Sequence, residues 1–219
     1  MADLIKACDE KINILIPIAP TAQLKDFIFF QSDKNPITKY YSSKIKSIKK
    51  IENSIFKYVL ETCKKTKIFI LQQNSNHNIL SQCKLALTTV GANTAELAAI
   101  NLPMIVVLPT QHLNAMNAWD GIFGIIGRIK LLNRIQTFII KRWYLKNNKF
   151  LAWPNIKANK QIVPERVGII TPKEISDEAI YLFKEKDLLV EQKLNLLKMR
   201  GQRGAVKKLS NLILETIAN

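Results

Sequence analysis

The stretch Leu85-Ala86-Leu87-Thr88-Thr89-Val90-Gly91-Ala92-Asn93-Thr94-Ala95-Glu96-Leu97-Ala98-Ala99 constrains the fold more than any other part of this 219-residue chain. Its apolar start predicts a short buried strand, Gly91 a turn, and Asn93 or Thr94 the entry to a helix. Such a junction leaves the first backbone N–H groups of the helix without intrahelical partners, with the positive end of the macrodipole behind them. That is a site for an anion, most often a phosphate. Gly91 lets a ligand approach the backbone, and Asn93 and Thr94 either cap the helix or turn an amide and a hydroxyl toward the ligand. Glu96 could accept hydrogen bonds from a ribose diol while the N–H groups around Ala92 hold a diphosphate. The same Thr-x-Glu is equally an ordinary helix start with an acid placed well for the dipole.

The flanking segments extend this unit. Ile12 to Ala19, Lys67 to Leu71, Pro103 to Leu108 and Val167 to Ile170 read as strands, the first of them apolar on both faces as a central parallel strand is. Helices are expected at Met1 to Lys11, Thr21 to Phe30, Ser42 to Lys65, His77 to Cys83 and Pro172 to about Lys186, the last opened by the cap Thr171-Pro172-Lys173-Glu174. Gln31 to Tyr41, with Asn35-Pro36, reads as a loop. Two more helical stretches fill 187–219, separated near Gly201 to Gly204. Strands alternating with helices predict an α/β fold, a parallel sheet with helices on both faces. Ligands of such sheets bind outside the carboxyl ends of the strands, so Gln73 in the Gln72 to Asn76 loop would share a rim with the Gly91 turn. Pro154 presents Asn155 at a further helix start, as a candidate ligand contact.

Charge points to partners. The formal net charge is +16, which suits nucleic acid, an acidic lipid surface or a nucleotide, although Lys, Ile and Asn also accumulate by drift in AT-rich genomes. Lysines line the expected Ser42 to Lys65 helix, whose inner face is Ile45, Ile48, Ile51 and Ile55. A basic amphipathic insert at 119–150 has Phe123, Ile126, Phe138 and Trp143 interleaved with Arg128, Arg134, Lys141 and Arg142. It reads as a segment lying in a lipid interface, or as a core helix with basic edges. No nucleic-acid motif accompanies the charge, so nucleic acid is the less favoured partner. Cys8, Cys63 and Cys83 lack metal or disulfide spacing and are expected to be buried thiols in a reducing compartment. With only His77 and His112 as histidines, no metal site is expected. No signal peptide or membrane span is evident, which leaves a cytoplasmic or membrane-surface location.

The series ALTTVGANTAELAAINLPMIVVLPTQ, then AMNAWDG, then FLAWPNIKANKQIVPERVG, with Arg200-Gly201-Gln202-Arg203-Gly204-Ala205 and a closing helix, resembles the carboxyl-terminal half of lipid-A-disaccharide synthase. It is most similar to the related glycosyltransferases of cyanobacteria and plastid lineages, and the resemblance runs from about Ile12 to the end. It implies one Rossmann-like half of a GT-B enzyme, the half that binds the UDP-sugar. By position, Gly91, Ala92, Asn93 and Thr94 would hold the diphosphate and Glu96 the ribose. Asn155 would contact the diphosphate or donor sugar, and Gln73 would lie near the base. The implied reaction is inverting transfer of an N-acylated glucosamine to a lipid-linked sugar at the inner membrane face, without a metal or other cofactor. The family's first glycine-serine-basic loop would fall before Met1. Its amino-terminal domain, with the acceptor site and the presumed catalytic carboxylate, has no counterpart here. The expectation is a stretch that does not transfer sugar alone: a fragment of a longer gene product, a partner of an amino-terminal domain on a separate chain, a homodimer, or a decayed remnant.

Overall fold

The computed structural model describes residues 1–9, 11–18, 24, 25, 28, 32, 35–71, 77–109, 150–200 and 204–218. The described strands form two sheets. In the first, β1 (Ile14–Pro17), β4 (Lys67–Leu71), β3 (Phe56–Thr62) and β2 (Ile45–Lys50) lie in that order. In the second, β5 (Ala86–Thr89), β6 (Met104–Pro109) and β7 (Glu165–Gly168) follow one another.

The second sheet is parallel throughout, with Leu87 beside Ile105 and Val107 beside Arg166. Its middle strand, β6, is buried on both faces, which explains its unbroken apolar sequence. Met104 and Val106 face a core with Leu97 and Ala98 of α4 (Ala92–Ala99), Ala152 at the start of α5 (Trp153–Ala158), and Leu196 of α7 (Lys186–Met199). Ile105 and Val107 face the other way, against Ile5 of α1 (Ala2–Cys8) and Ala179 and Leu182 of α6 (Pro172–Lys184). This half of the chain is an α/β layer structure with helices on both faces, as the alternation of strands and helices predicts, and it fits a Rossmann-like fold.

Gln192 shows how the layers are locked. Val106 N donates to Pro164 O, just ahead of β7. Met104 N points the same way two residues earlier, where β7 has not yet begun, and donates instead to Gln192 Oε1 at 2.6 Å. A side chain from α7 thus satisfies the backbone group that the sheet leaves open. α6 opens as expected: Thr171 and Glu174 form a reciprocal capping box with Pro172 in the first turn.

The first sheet corrects two expectations. It is mixed: β1 and β4 are parallel, but β3 runs antiparallel to both β4 and β2. The Ser42 to Lys65 segment is a β-hairpin, not a helix. Its Ile, Val, Tyr and Phe content favours strands, and Asn53 in the connecting turn takes a left-handed φ of 54°. The three-residue spacing of Ile45 and Ile48 comes from a bulge between Ile45 and Ser47, which puts opposite Thr62 and Leu60 two residues that regular pleating would send to opposite faces.

Other differences are local. The expected Gln31 to Tyr41 loop contains the short helix α2 (Pro36–Tyr40), and His77 to Cys83 is helical only over α3 (His77–Leu80). The last strand begins at Glu165, not Val167. Among the described strands β1 pairs only with β4 and lies at the end of the sheet rather than at its centre, where its sequence suggests it. Cys8 and Cys63 are exposed rather than buried; Cys83 is half-buried, and burial raises the pKa of its thiol. The carboxyl-terminal helices α7 and α8 (Ala205–Ala218) fall where expected. The helix at Thr21 to Phe30 lies largely outside the described residues. Leu24, Lys25 and Ile28 are helical.

Near the amino terminus, buried Asp3 of α1 accepts a hydrogen bond from Thr62 Oγ1 at 2.6 Å, and that hydroxyl oxygen accepts from Lys64 N and Thr66 N in the β3–β4 turn. One carboxylate therefore ties α1 to the first sheet. Ile14 of β1 packs in both the Ile5 cluster and the Leu60 cluster, so the cores of the two sheets meet there.

Candidate functional site

The carboxyl ends of β5, β6 and β7 share one side of the parallel sheet, because all three strands run the same way. Leu108 is buried there with Val90, Leu151 and Val167 around it, so the loop after each strand departs from a common apolar floor. Both α4 and α5 begin at this rim.

The start of α4 is open. Gly91 is its N-cap, with φ 143° and ψ −166°, and no side chain caps the helix. An L side chain rarely adopts that φ, and a Cβ built there would meet nothing within 4 Å. The glycine is required by backbone conformation rather than by crowding at its Cβ position. Ala92 and Asn93 follow, both exposed, and Glu96 is exposed one turn along. N–H groups without intrahelical partners, the helix dipole and exposed residues coincide here, as an anion site needs.

Thr94 departs from expectation. It is fully buried, and its hydroxyl donates to Gly91 O at 2.8 Å while accepting from Trp153 N at 3.1 Å. Its side chain is occupied inside the protein, where it links the first turn of α4 to the start of α5, and it is not turned toward a ligand.

The start of α5 is filled from within. Glu165, the first residue of β7, is only 9 % exposed. Its Oε1 accepts from Leu151 N (3.1 Å), Ala152 N (2.9 Å) and Asn155 Nδ2 (2.7 Å), and its Oε2 also accepts from Leu151 N (3.0 Å). An internal carboxylate thus satisfies the backbone groups at the start of α5.

Asn155 belongs to the same bracket. It is 0 % exposed; Nδ2 donates to Val163 O at 2.8 Å as well as to Glu165, and Oδ1 accepts from Ile162 N at 2.6 Å and Val163 N at 2.9 Å. Two donors and two acceptor positions exhaust a side-chain amide. The expected ligand contact is therefore corrected: Asn155 pins the 162–163 turn and Glu165 beneath the rim. Pro154 does place it at a helix start, but the side chain faces the core.

The structure thus brings Gly91, Ala92, Asn93 and Glu96 together at one exposed helix start and turns Thr94 and Asn155 inward. Gln73 lies outside the described residues, as do Phe123, Ile126, Phe138, Trp143, Arg128, Arg134, Lys141 and Arg142 of the insert. Glu165 carried no assigned role in the sequence. Its only signal was an acid after the apolar Ile162-Val163-Pro164, 10 residues after Asn155.

Among the described residues, no cluster of His, Cys, Asp or Glu could hold a metal ion, and no helix is long and apolar enough to cross a membrane. The chain matches no protein-family model, no curated protein and no solved structure.

Proposed function

We propose that the chain binds the diphosphate of a nucleotide-sugar at the start of α4, and that it is the donor half of a glycosyltransferase of the lipid-A-disaccharide synthase type. The observation that carries the proposal is the uncapped start of α4 at the carboxyl rim of a parallel sheet, beside a second helix start already neutralised by Glu165. A ligand anion would meet the first N–H groups of α4, and Glu96 stands one turn beyond them for a ribose diol. N–H dipoles there would also stabilise charge developing on a UDP leaving group. In this proposal Asn155 and Thr94 shape the site from behind.

The donor is then a UDP-sugar carrying an N-acylated glucosamine. The acceptor is a lipid-linked sugar at the cytoplasmic face of the inner membrane, with the 119–150 insert lying on anionic lipid. The catalytic carboxylate and acceptor pocket would come from an amino-terminal domain of the kind that the resemblance implies.

Calorimetric titration of the chain with UDP, UDP-N-acetylglucosamine and a short DNA duplex at physiological salt tests this. Saturable binding of both uridine ligands with little salt dependence is expected. Absence of uridine binding, or duplex binding that falls steeply with salt, would overturn the proposal.

A further inference from the structure

The β2–β3 hairpin concentrates positive charge on a part of the protein that the donor site does not use. Lys46, Lys49 and Lys50 on β2 and Lys57 on β3 are exposed, and Glu52 and Glu61 are the only acids between Lys44 and Lys67. The register gathers three of the four lysines. Lys49 and Lys50 sit opposite Val59 and Tyr58, and the Lys57 carbonyl accepts from Ile51 N, so these cations ring the turn at 51–55. Ile55, in that turn, is 47 % exposed, and Ile48, on β2 opposite Leu60, is 39 % exposed.

β2 is the edge strand of its sheet, and lysines alone would serve to block edge-to-edge pairing. Exposed isoleucines do the opposite. Aliphatic side chains at a loop tip surrounded by ammonium groups match an anionic bilayer, where the apolar groups enter the acyl boundary and the cations stay at the headgroups. Nucleic acid fits less well. The hairpin has no arginine for bidentate phosphate or base contacts, and Phe56 and Tyr58 are half-buried rather than presented for stacking.

We infer that the β2–β3 hairpin docks the protein on an anionic lipid surface, as a contact separate from the 119–150 insert. The inference rests on the hairpin alone and stands whether or not a uridine ligand binds.

The test is co-sedimentation of the full chain with phosphatidylcholine vesicles with and without phosphatidylglycerol, at low and high salt. Binding should require phosphatidylglycerol and weaken with salt. Combining Lys46→Gln, Lys49→Gln, Lys50→Gln and Lys57→Gln should lower the partition coefficient roughly five-fold for each lysine replaced. Arginine at the same four positions should bind like the wild type, which separates lost charge from a damaged fold. A Phe138→Glu, Trp143→Glu variant should keep binding that the glutamine changes then remove. Three results would overturn the inference: undiminished binding by the glutamine variant, complete loss in the insert variant alone, or displacement of the protein from vesicles by a short DNA duplex.

Discussion

The backbone N–H of Trp153 donates to Thr94 Oγ1 at 3.1 Å, so the starts of α4 and α5 are joined by one hydroxyl. Thr94 is fully buried and Trp153 is 36 % exposed, which puts this bond just beneath the rim where Gly91 and Asn93 are open. Thr94→Val keeps the shape and removes the hydroxyl that Trp153 N–H donates to, while Gly91 C=O keeps its bond from Thr94 N. Urea unfolding should show a loss of about 0.5–1.5 kcal/mol, and Thr94→Ser should restore most of it. A valine variant as stable as the wild type would mean that the bond does not hold the two helices in register.

Asn155 and Glu165 should behave as one unit. Glu165→Gln keeps an acceptor for Ala152 N and Asn155 Nδ2 but loses the charge, and is expected to cost about 1 kcal/mol; Asn155→Ala leaves Ile162 N, Val163 N and Val163 O unpaired and should cost about 3 kcal/mol. Because the two side chains share the 2.7 Å bond, the double variant should differ from the sum of the singles by about 0.5–3 kcal/mol. Additivity in a denaturant cycle would show that the residues are independent.

The strand–turn–helix at Leu85 to Ala99, the buried β6 and the Thr171 cap were legible because each is specified locally, by an apolar run, a glycine or a cap residue. The hairpin was not. Ile45, Ile48, Ile51 and Ile55 recur at helical spacing, and a bulge that shifts strand phase by one residue imitates that spacing. Sequence did place Gly91 at the turn before α4, because that position answers to backbone geometry. It could not show which way Thr94 and Asn155 turn. That depends on Trp153 and Glu165, which lie 59 residues from Thr94 and 10 from Asn155 along the chain, and a single sequence carries no record of such pairings.

Asp3 predicts a specific dependence of stability on pH. Burial pushes its carboxyl pKa up, but the hydroxyls of Ser43, Thr62 and Thr66 and the charge of Lys64 outweigh this and hold it below its ordinary value of 3.8. A carboxyl depressed by folding stabilises the native state above the unfolded pKa, and that contribution is lost as pH falls through the folded value. Asp3→Asn should therefore be less stable than the wild type at neutral pH, with the gap closing below about pH 4. Urea midpoints measured at neutral pH and at about pH 3 check this; a gap that stays constant would assign the loss to packing rather than to the charge.

Glu96 separates binding from folding. It is exposed on the first turn after Asn93, whereas Thr94 and Asn155 hold the scaffold, so changes at those two residues would alter stability and affinity together. A carboxylate bonded to both hydroxyls of a ribose contributes through charged hydrogen bonds, and Glu96→Ala should weaken UDP binding by about 1–3 kcal/mol. The thermal midpoint of the free protein should stay within the scatter expected of exposed sites. Glu96→Gln, which keeps one acceptor oxygen, should fall between. Affinities for uridine and for UDP give the remaining discrimination: if Glu96 meets the ribose, both weaken by the same factor. A loss confined to UDP would put the carboxylate near the phosphates instead, and an unchanged affinity for both would remove Glu96 from the site while leaving the start of α4 to be tested by itself.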